Sequence, residues 1–233
     1  MQSGDKQCEC SHGHILRDRE ARIMGEEIIR YNGVSVVFDE KTIIDHFSLS
    51  VCKGEKFILR GPSGSGKSTL LRMAHGYARP ADGTVYYQTH AIDAETIWKI
   101  RQETAYISQD TDIGEGRTRD LIEGVFSYAA NREVPYETAL KEYLALFSLN
   151  EETLNKDFRS LSGGEKQRIV IIISLLLGRT VYFLDEVTAA LDARMKEQVA
   201  DYFLSREDWT VIAVSHDDVW YRDSVRIIPV GDA

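Results

Sequence analysis

The chain has 233 residues, 43% of them hydrophobic and 28% charged, with a formal net charge of −9. This is the composition of a folded protein with a full core, and it excludes collagen-like, disordered and disulfide-scaffold classes. The acidic balance, 37 Asp and Glu against 28 Lys and Arg, disfavours a general nucleic-acid-binding role.

Residues 1–26 read as a flexible, charged tail ahead of a single domain over residues 27–233. The tail carries Cys8, Cys10, His12 and His14 at alternate positions. Established zinc sites space their ligands more widely, so a flexible tail is expected in preference to a metal site. The three cysteines are too few for a disulfide framework and suit a reducing cytosol. No apolar run of signal-peptide type opens the chain. The most apolar stretch, Ile169–Leu177, is far short of the ~20 residues a membrane span needs.

From Ile28 onward, β-rich runs are expected at Val34–Phe38, Phe57–Leu59, Thr84–Tyr87, Thr104–Ile107, Val181–Leu184, Val211–Val214 and Val225–Ile228. Several are continuously apolar, as in strands of a parallel sheet covered on both faces. Helices are expected from Lys67, over roughly 136–148, from Gly163 to about Leu177, and over Ala193–Leu204. The interval from about 110 to 162 offers no strand pattern and reads as a helical lobe inserted into an α/β core.

Gly61-Pro62-Ser63-Gly64-Ser65-Gly66-Lys67-Ser68, with Thr69 next, follows an apolar run and opens a helix, which is the context of a phosphate-binding P-loop. Its glycines let successive N–H groups turn toward anionic oxygens, and the helix N-terminus adds the positive end of its dipole. Lys67 supplies a mobile charge for the β- and γ-phosphates, and Ser68 a hydroxyl for Mg²⁺. The apolar run Val181–Leu184 ends in Asp185 and Glu186, which would deliver two carboxylates to the edge where open α/β sheets bind ligands. Asp185 is then a candidate Mg²⁺ ligand and Glu186 a candidate base for the attacking water. Gln109 and His216 end two further strands in the same way. Four strand ends would thus converge on one site.

Leu161-Ser162-Gly163-Gly164-Glu165 resembles the LSGGQ signature of the ABC (ATP-binding cassette) family, and lies upstream of the Asp185 strand as in that family. Ser162 and Glu165 also spell a helix capping box, but a capping box alone requires neither glycine. The resemblance covers about residues 28–230. It implies a P-loop NTPase core with a mostly parallel sheet, an antiparallel β subdomain and an inserted α-helical subdomain. It also implies an ATPase that uses ATP and Mg²⁺, with Lys67 in the Walker A loop and Asp185 and Glu186 in Walker B. Phe38 would stack on adenine, with Tyr31 as a second candidate. Gln109 would be the Q-loop glutamine near Mg²⁺, Leu191-Asp192 the D-loop, and His216 the switch histidine acting with Glu186.

A second cassette, paired head to tail in the presence of ATP, would contribute Ser162, Gly163 and Gly164 to the nucleotide. Transmembrane permease subunits would be the other partners, with the chain peripheral at the inner face of the membrane. The short single cassette resembles those of small bacterial ABC systems, including metal or iron exporters. The alternative is a non-transport ABC ATPase acting on nucleic acid or the ribosome, which chain length and acidity disfavour. Three departures from the family stand out: Glu165 for Gln, Ala189 for the usual serine, and Asp157-Phe158-Arg159-Ser160 where many exporters carry a TEVGEXG-like run.

Overall fold

The computed structural model describes residues 25–231, so the Cys8, Cys10, His12 and His14 cluster lies outside the described residues. The domain opens with a hairpin of β1 (Glu27–Phe38) and β2 (Lys41–Cys52). Its turn residues, Asp39 and Glu40, both have positive φ, 46° and 63°. That is the backbone of a tight hairpin built without the Asn or Gly that normally announces one. β4 (Asp82–Tyr87) and the two-residue β5 (His90–Ala91) complete an antiparallel sheet in the order β2-β1-β4-β5. Sequence reasoning recognised only the Val34–Phe38 end of β1 and missed β2. Register shifts along the β1–β2 ladder break the period-two alternation that would have marked it.

The second sheet is parallel and runs in the order β6-β7-β8-β3-β9. Its strands are β3 (Lys56–Arg60), β6 (Thr104–Ile107), β7 (Val181–Asp185), β8 (Thr210–Val214) and β9 (Arg226–Pro229). Alternate residues of its central strands feed two cores. Ile58, Tyr182, Leu184, Val211 and Ala213 belong to the core shared with the helical region. Phe57, Leu59, Val181, Phe183, Ile212 and Val214 face the antiparallel sheet and helix α1 (Lys67–Ala74). All are buried, which explains the unbroken apolar runs. Each such Val, Leu, Ile or Phe side chain contributes roughly 1.5–3 kcal/mol of burial free energy.

Helix α2 (Ile97–Glu103) leads into β6. Between residues 110 and 162 lie α3 (Thr118–Ser127), α4 (Glu137–Leu146) and two 3-10 turns at Glu151–Asn155 and Phe158–Ser160. Buried Thr118 donates its hydroxyl to the Lys156 carbonyl at 3.1 Å, and its N–H to the same oxygen at 3.0 Å. These bonds tie the start of α3 to the chain just before α5 (Gly163–Leu176). Helix α6 (Ala193–Leu204) packs against the 3-10 turn Asp218–Trp220 that follows β8. Among the described residues, no helix is long and apolar enough to cross a membrane.

Candidate active site

Because β3, β6, β7 and β8 are parallel neighbours, their carboxyl ends lie along one edge of the sheet. Gly61, Gln109, Asp185-Glu186 and His216 all follow from those ends. Between β3 and α1 the chain curls with Gly64 at φ 81° and Gly66 at φ 89°, backbone that residues with a Cβ rarely adopt. Gly61 is demanded by packing: a Cβ there would sit 2.0 Å from the Val230 carbonyl oxygen. The Lys67 ammonium folds back onto the loop, donating to the carbonyls of Gly61 at 2.9 Å and Pro62 at 2.8 Å. Burial draws its pKa below the ordinary lysine value, opposed by the nearby Glu186 and Asp185 carboxylates.

The Asp185 carboxylate is held on both sides. Ser68 Oγ donates to Oδ1 at 2.7 Å, and the Tyr106 phenol donates to Oδ2 at 3.0 Å. Burial and the facing Asp185 charge push the Tyr106 phenol up to about 12, so it remains a donor. Glu186 follows with φ 53°, an uncommon left-handed backbone for a side chain of its size. Its N–H donates to the Val214 carbonyl at 3.0 Å, so strand β8 pins that conformation. The turn aims the carboxylate at His216, whose Nε2 lies 3.4 Å from Oε1. Burial raises the Glu186 pKa above the ordinary carboxylate value, and Asp185 adds to the rise while His216 and Lys67 oppose it.

A cleft of about 740 Å³ opens over this edge. Lys67, Ser68, Thr69, Gln109, Glu186 and His216 form its polar wall, and Val36, Val37, Phe38, Ile43 and Met73 its apolar one. Ser63, Gly64 and Gly66 line it as well. Phe38 is 69% exposed, a flat ring standing free at the mouth. Tyr31 is not available for that role: it is buried, and its phenol donates to the Leu70 carbonyl at 2.9 Å. Ser65 points away from the cleft; a Cβ built on Gly231 would fall 2.5 Å from the Ser65 Cβ. With Pro62 it lines a second depression behind the loop, and Gly61 is sealed beneath Val230.

Ser162, Gly163 and Gly164 are not among the residues lining the cleft. They open α5 through a complete capping box. Ser162 Oγ accepts from the Glu165 N–H at 3.3 Å, and Glu165 Oε2 accepts from the Ser162 N–H at 2.9 Å. The Ser162 hydroxyl also donates to Glu165 Oε2 at 2.8 Å. At Gly163 a Cβ would meet the Ala190 Cβ at 3.8 Å, an ordinary contact. Asp192 caps α6, accepting from the Met195 N–H at 2.9 Å.

Sequence reasoning overlooked two groups at this edge. Tyr106 lies within the β-rich run Thr104–Ile107, and nothing local marks a phenol whose partner lies 79 positions away. Thr188, Lys196 and Asp217 form a second polar cluster beside the first. Asp217 stands directly after His216, yet its partners are remote in sequence and left no spacing to read.

A family model described as ABC transporter matches residues 44–189. The chain is 31% identical, over 90% of its length and 78% of the relative's, to the "Energy-coupling factor transporter ATP-binding protein EcfA1" of Listeria monocytogenes. It is 28% identical, over 82% of its length and 85% of the relative's, to the "Probable iron export ATP-binding protein FetA" of Escherichia coli. Among solved structures, the ATP-binding cassette MJ0796, a dimer in a post-hydrolysis state bound to ADP and Pi, superposes with a TM-score of 0.74. That match is 25% identical and covers 88% of this chain and 95% of the other. Motif order, sheet topology and these likenesses agree: the chain belongs to the ABC transporter family, as an ATP-binding subunit that hydrolyses ATP.

Proposed function

We propose that the cleft binds ATP with Mg²⁺, and that hydrolysis takes place only when a second copy of the chain closes over it. The observation that carries this is the division of the machinery. One wall of one cleft holds Lys67, Ser68, Gln109, Glu186 and His216, whereas the Ser162–Gly164 turn stands outside that cleft and is free to serve another.

In the proposed complex, phosphate oxygens replace the Gly61 and Pro62 carbonyls as acceptors for the Lys67 ammonium, while the amides of the loop and the α1 N-terminus surround the same oxygens. Phe38 stacks on the base. Ser68 and Asp185 offer a hydroxyl and a carboxylate 2.7 Å apart, hard oxygen donors of the kind Mg²⁺ prefers, with Gln109 at the rim of the cleft. No cluster of three or more His, Cys, Asp or Glu among the described residues could hold a metal by itself. Mg²⁺ keeps several waters and takes substrate phosphates as ligands, so it needs few protein oxygens. When bound, the ion would neutralise charge building on the β- and γ-phosphates.

Glu186 accepts the proton of the attacking water, and its burial strengthens it as a base. His216 orients that carboxylate from 3.4 Å. Ser162 and the Gly163 and Gly164 amides of the second copy complete the shell around the γ-phosphate, so catalysis is chiefly positioning and charge stabilisation.

Closure and opening of the pair would drive transmembrane permease subunits, with this chain peripheral at the inner face of the membrane. Metal or iron export is one candidate task, in keeping with the likeness to FetA. Replacing Glu186 tests the core of the proposal. Glu186→Gln is expected to bind ATP as tightly as the parent, to lose turnover by about 10²-fold or more, and to run as a dimer in gel filtration with ATP present. Turnover at the parental rate would remove Glu186 from the role of base.

A further inference from the structure

We propose that Asp217 is a positioning residue for hydrolysis, bridging the loop that carries His216 to Thr188 and to helix α6. This rests on the assignment of Glu186 and His216 to the water-activating pair.

The bridge uses both carboxylate oxygens. Thr188 Oγ1 donates to Asp217 Oδ2 at 2.7 Å, and the Lys196 ammonium donates to Oδ1 at 2.6 Å. The side chains of Lys196 and Asp217 are only 23% and 24% exposed, so solvent screens the pair weakly. Trp220, fully buried, donates its indole N–H to the same Thr188 hydroxyl at 3.2 Å and closes the cluster from below. The Asp217 N–H donates to Ser215 Oγ at 3.1 Å, so the backbone on either side of His216 is held as well. Burial alone would raise the Asp217 pKa, but the bonds from Lys196 and Thr188 outweigh it and keep the carboxylate ionised.

Each anchor belongs to an element that serves the site. Thr188 lies two residues after Glu186, in a turn closed by the Ala189 N–H on the Glu186 carbonyl at 3.1 Å. Lys196 lies on the first turn of α6, its N–H bonded at 2.9 Å to the carbonyl of Asp192, the residue that caps this helix. His216 itself has a side chain 59% exposed and touches Glu186 through a single 3.4 Å contact. A ring so loosely packed owes its place to its backbone, and Asp217 is the group that fixes that backbone. The bridge also links His216 mechanically to the Ala189–Asp192 turn, whose neighbours Gly163 and Gly164 lie at the start of α5.

The test is steady-state ATP hydrolysis by the full chain carrying Asp217→Asn, Lys196→Met or both, with thermal unfolding and ATP-driven dimerisation measured on the same samples. Asp217→Asn is expected to lower kcat about tenfold, equivalent to about 1.4 kcal/mol of barrier, with KM within about twofold and dimerisation intact. Lys196→Met, which leaves the Thr188 bond in place, is expected to lose about threefold by the same conversion, and the double variant no more than Asp217→Asn alone. Parental kcat in both single variants overturns the proposal. So does a fall in kcat accompanied by an equal loss of ATP affinity or dimerisation, because that describes a general loosening. If Asp217→Asn fails to fold, Lys196→Met decides by the same criteria. The underlying assignment fails separately, through parental turnover in Glu186→Gln and His216→Ala.

Discussion

Two glycine-rich turns open helices in this protein, and they obey different masters. In the loop Gly61–Gly66 two glycines answer to the chain's own packing: Val230 lies 2.0 Å from where a Cβ on Gly61 would sit, and Ile44 lies 2.6 Å from one on Gly66, while Gly64 answers to its positive φ of 81°. At Ser162–Gly164 the constraint is weaker, with Ala190 at 3.8 Å from a Cβ on Gly163 and at 3.1 Å from one on Gly164. The first turn is built around its own cleft. The second keeps a surface bare although its own fold would accept a methyl group at Gly163, which is the mark of a turn made for something outside the chain.

The sharpest way to break the contrast is to add one methyl group to each turn. Gly61→Ala is expected to be the most damaging change, because a backbone carbonyl cannot yield as a flexible side chain can. A loss of several kcal/mol, the overpacking range or beyond, would appear as a collapse of the melting temperature or of soluble yield. Gly163→Ala is expected to leave the fold intact or to stabilise it by up to about 1 kcal/mol through better helix propensity. The same variant is expected to lose most ATP turnover while each copy still binds nucleotide. A melt that falls with Gly163→Ala would show that the second turn, too, is required by its own fold.

Glu165 gives a smaller and pH-dependent difference. The Ser162 N–H first, then the Ser162 hydroxyl and the Lys156 charge, hold this carboxylate below the usual glutamate range. An acid with a depressed folded pKa adds stability that is complete above its unfolded value of about 4.3 and fades as the pH falls through the lower folded value. Glu165→Gln is therefore expected to melt a little below the parent at neutral pH, by less than about 1 kcal/mol. The gap should narrow as the pH falls below about 4.3 and vanish below the lowered folded value. A gap that widens on acidification would contradict the capping assignment.

Much of the site was legible because its residues lie at element boundaries. Phe57–Leu59, Thr104–Ile107, Val181–Leu184 and Val211–Val214 are apolar runs, and whatever polar residue ends such a run is delivered to the sheet edge. Helix α6 starts at Ala193 behind its capping Asp192, as the residue pattern indicates. What escaped was set by partners distant along the chain. Tyr106 and Asp185 meet across neighbouring strands β6 and β7, and Asp217 meets Thr188 and Lys196 across a turn and a helix. The hairpin β1–β2 escaped because Asp39 and Glu40 turn it without glycine.

The amino-acid order alone determined the phosphate loop, the two acids at the end of β7 and the Ser-Gly-Gly turn, since each is a short run whose chemistry depends on neighbouring residues. Only the tertiary structure decided that Tyr31 is buried beneath α1 while Phe38 stands free, that Glu186 faces His216, and that Asp217 braces the loop between them. Those outcomes depend on which strands lie side by side and on which face each residue buries, quantities that no local spacing encodes.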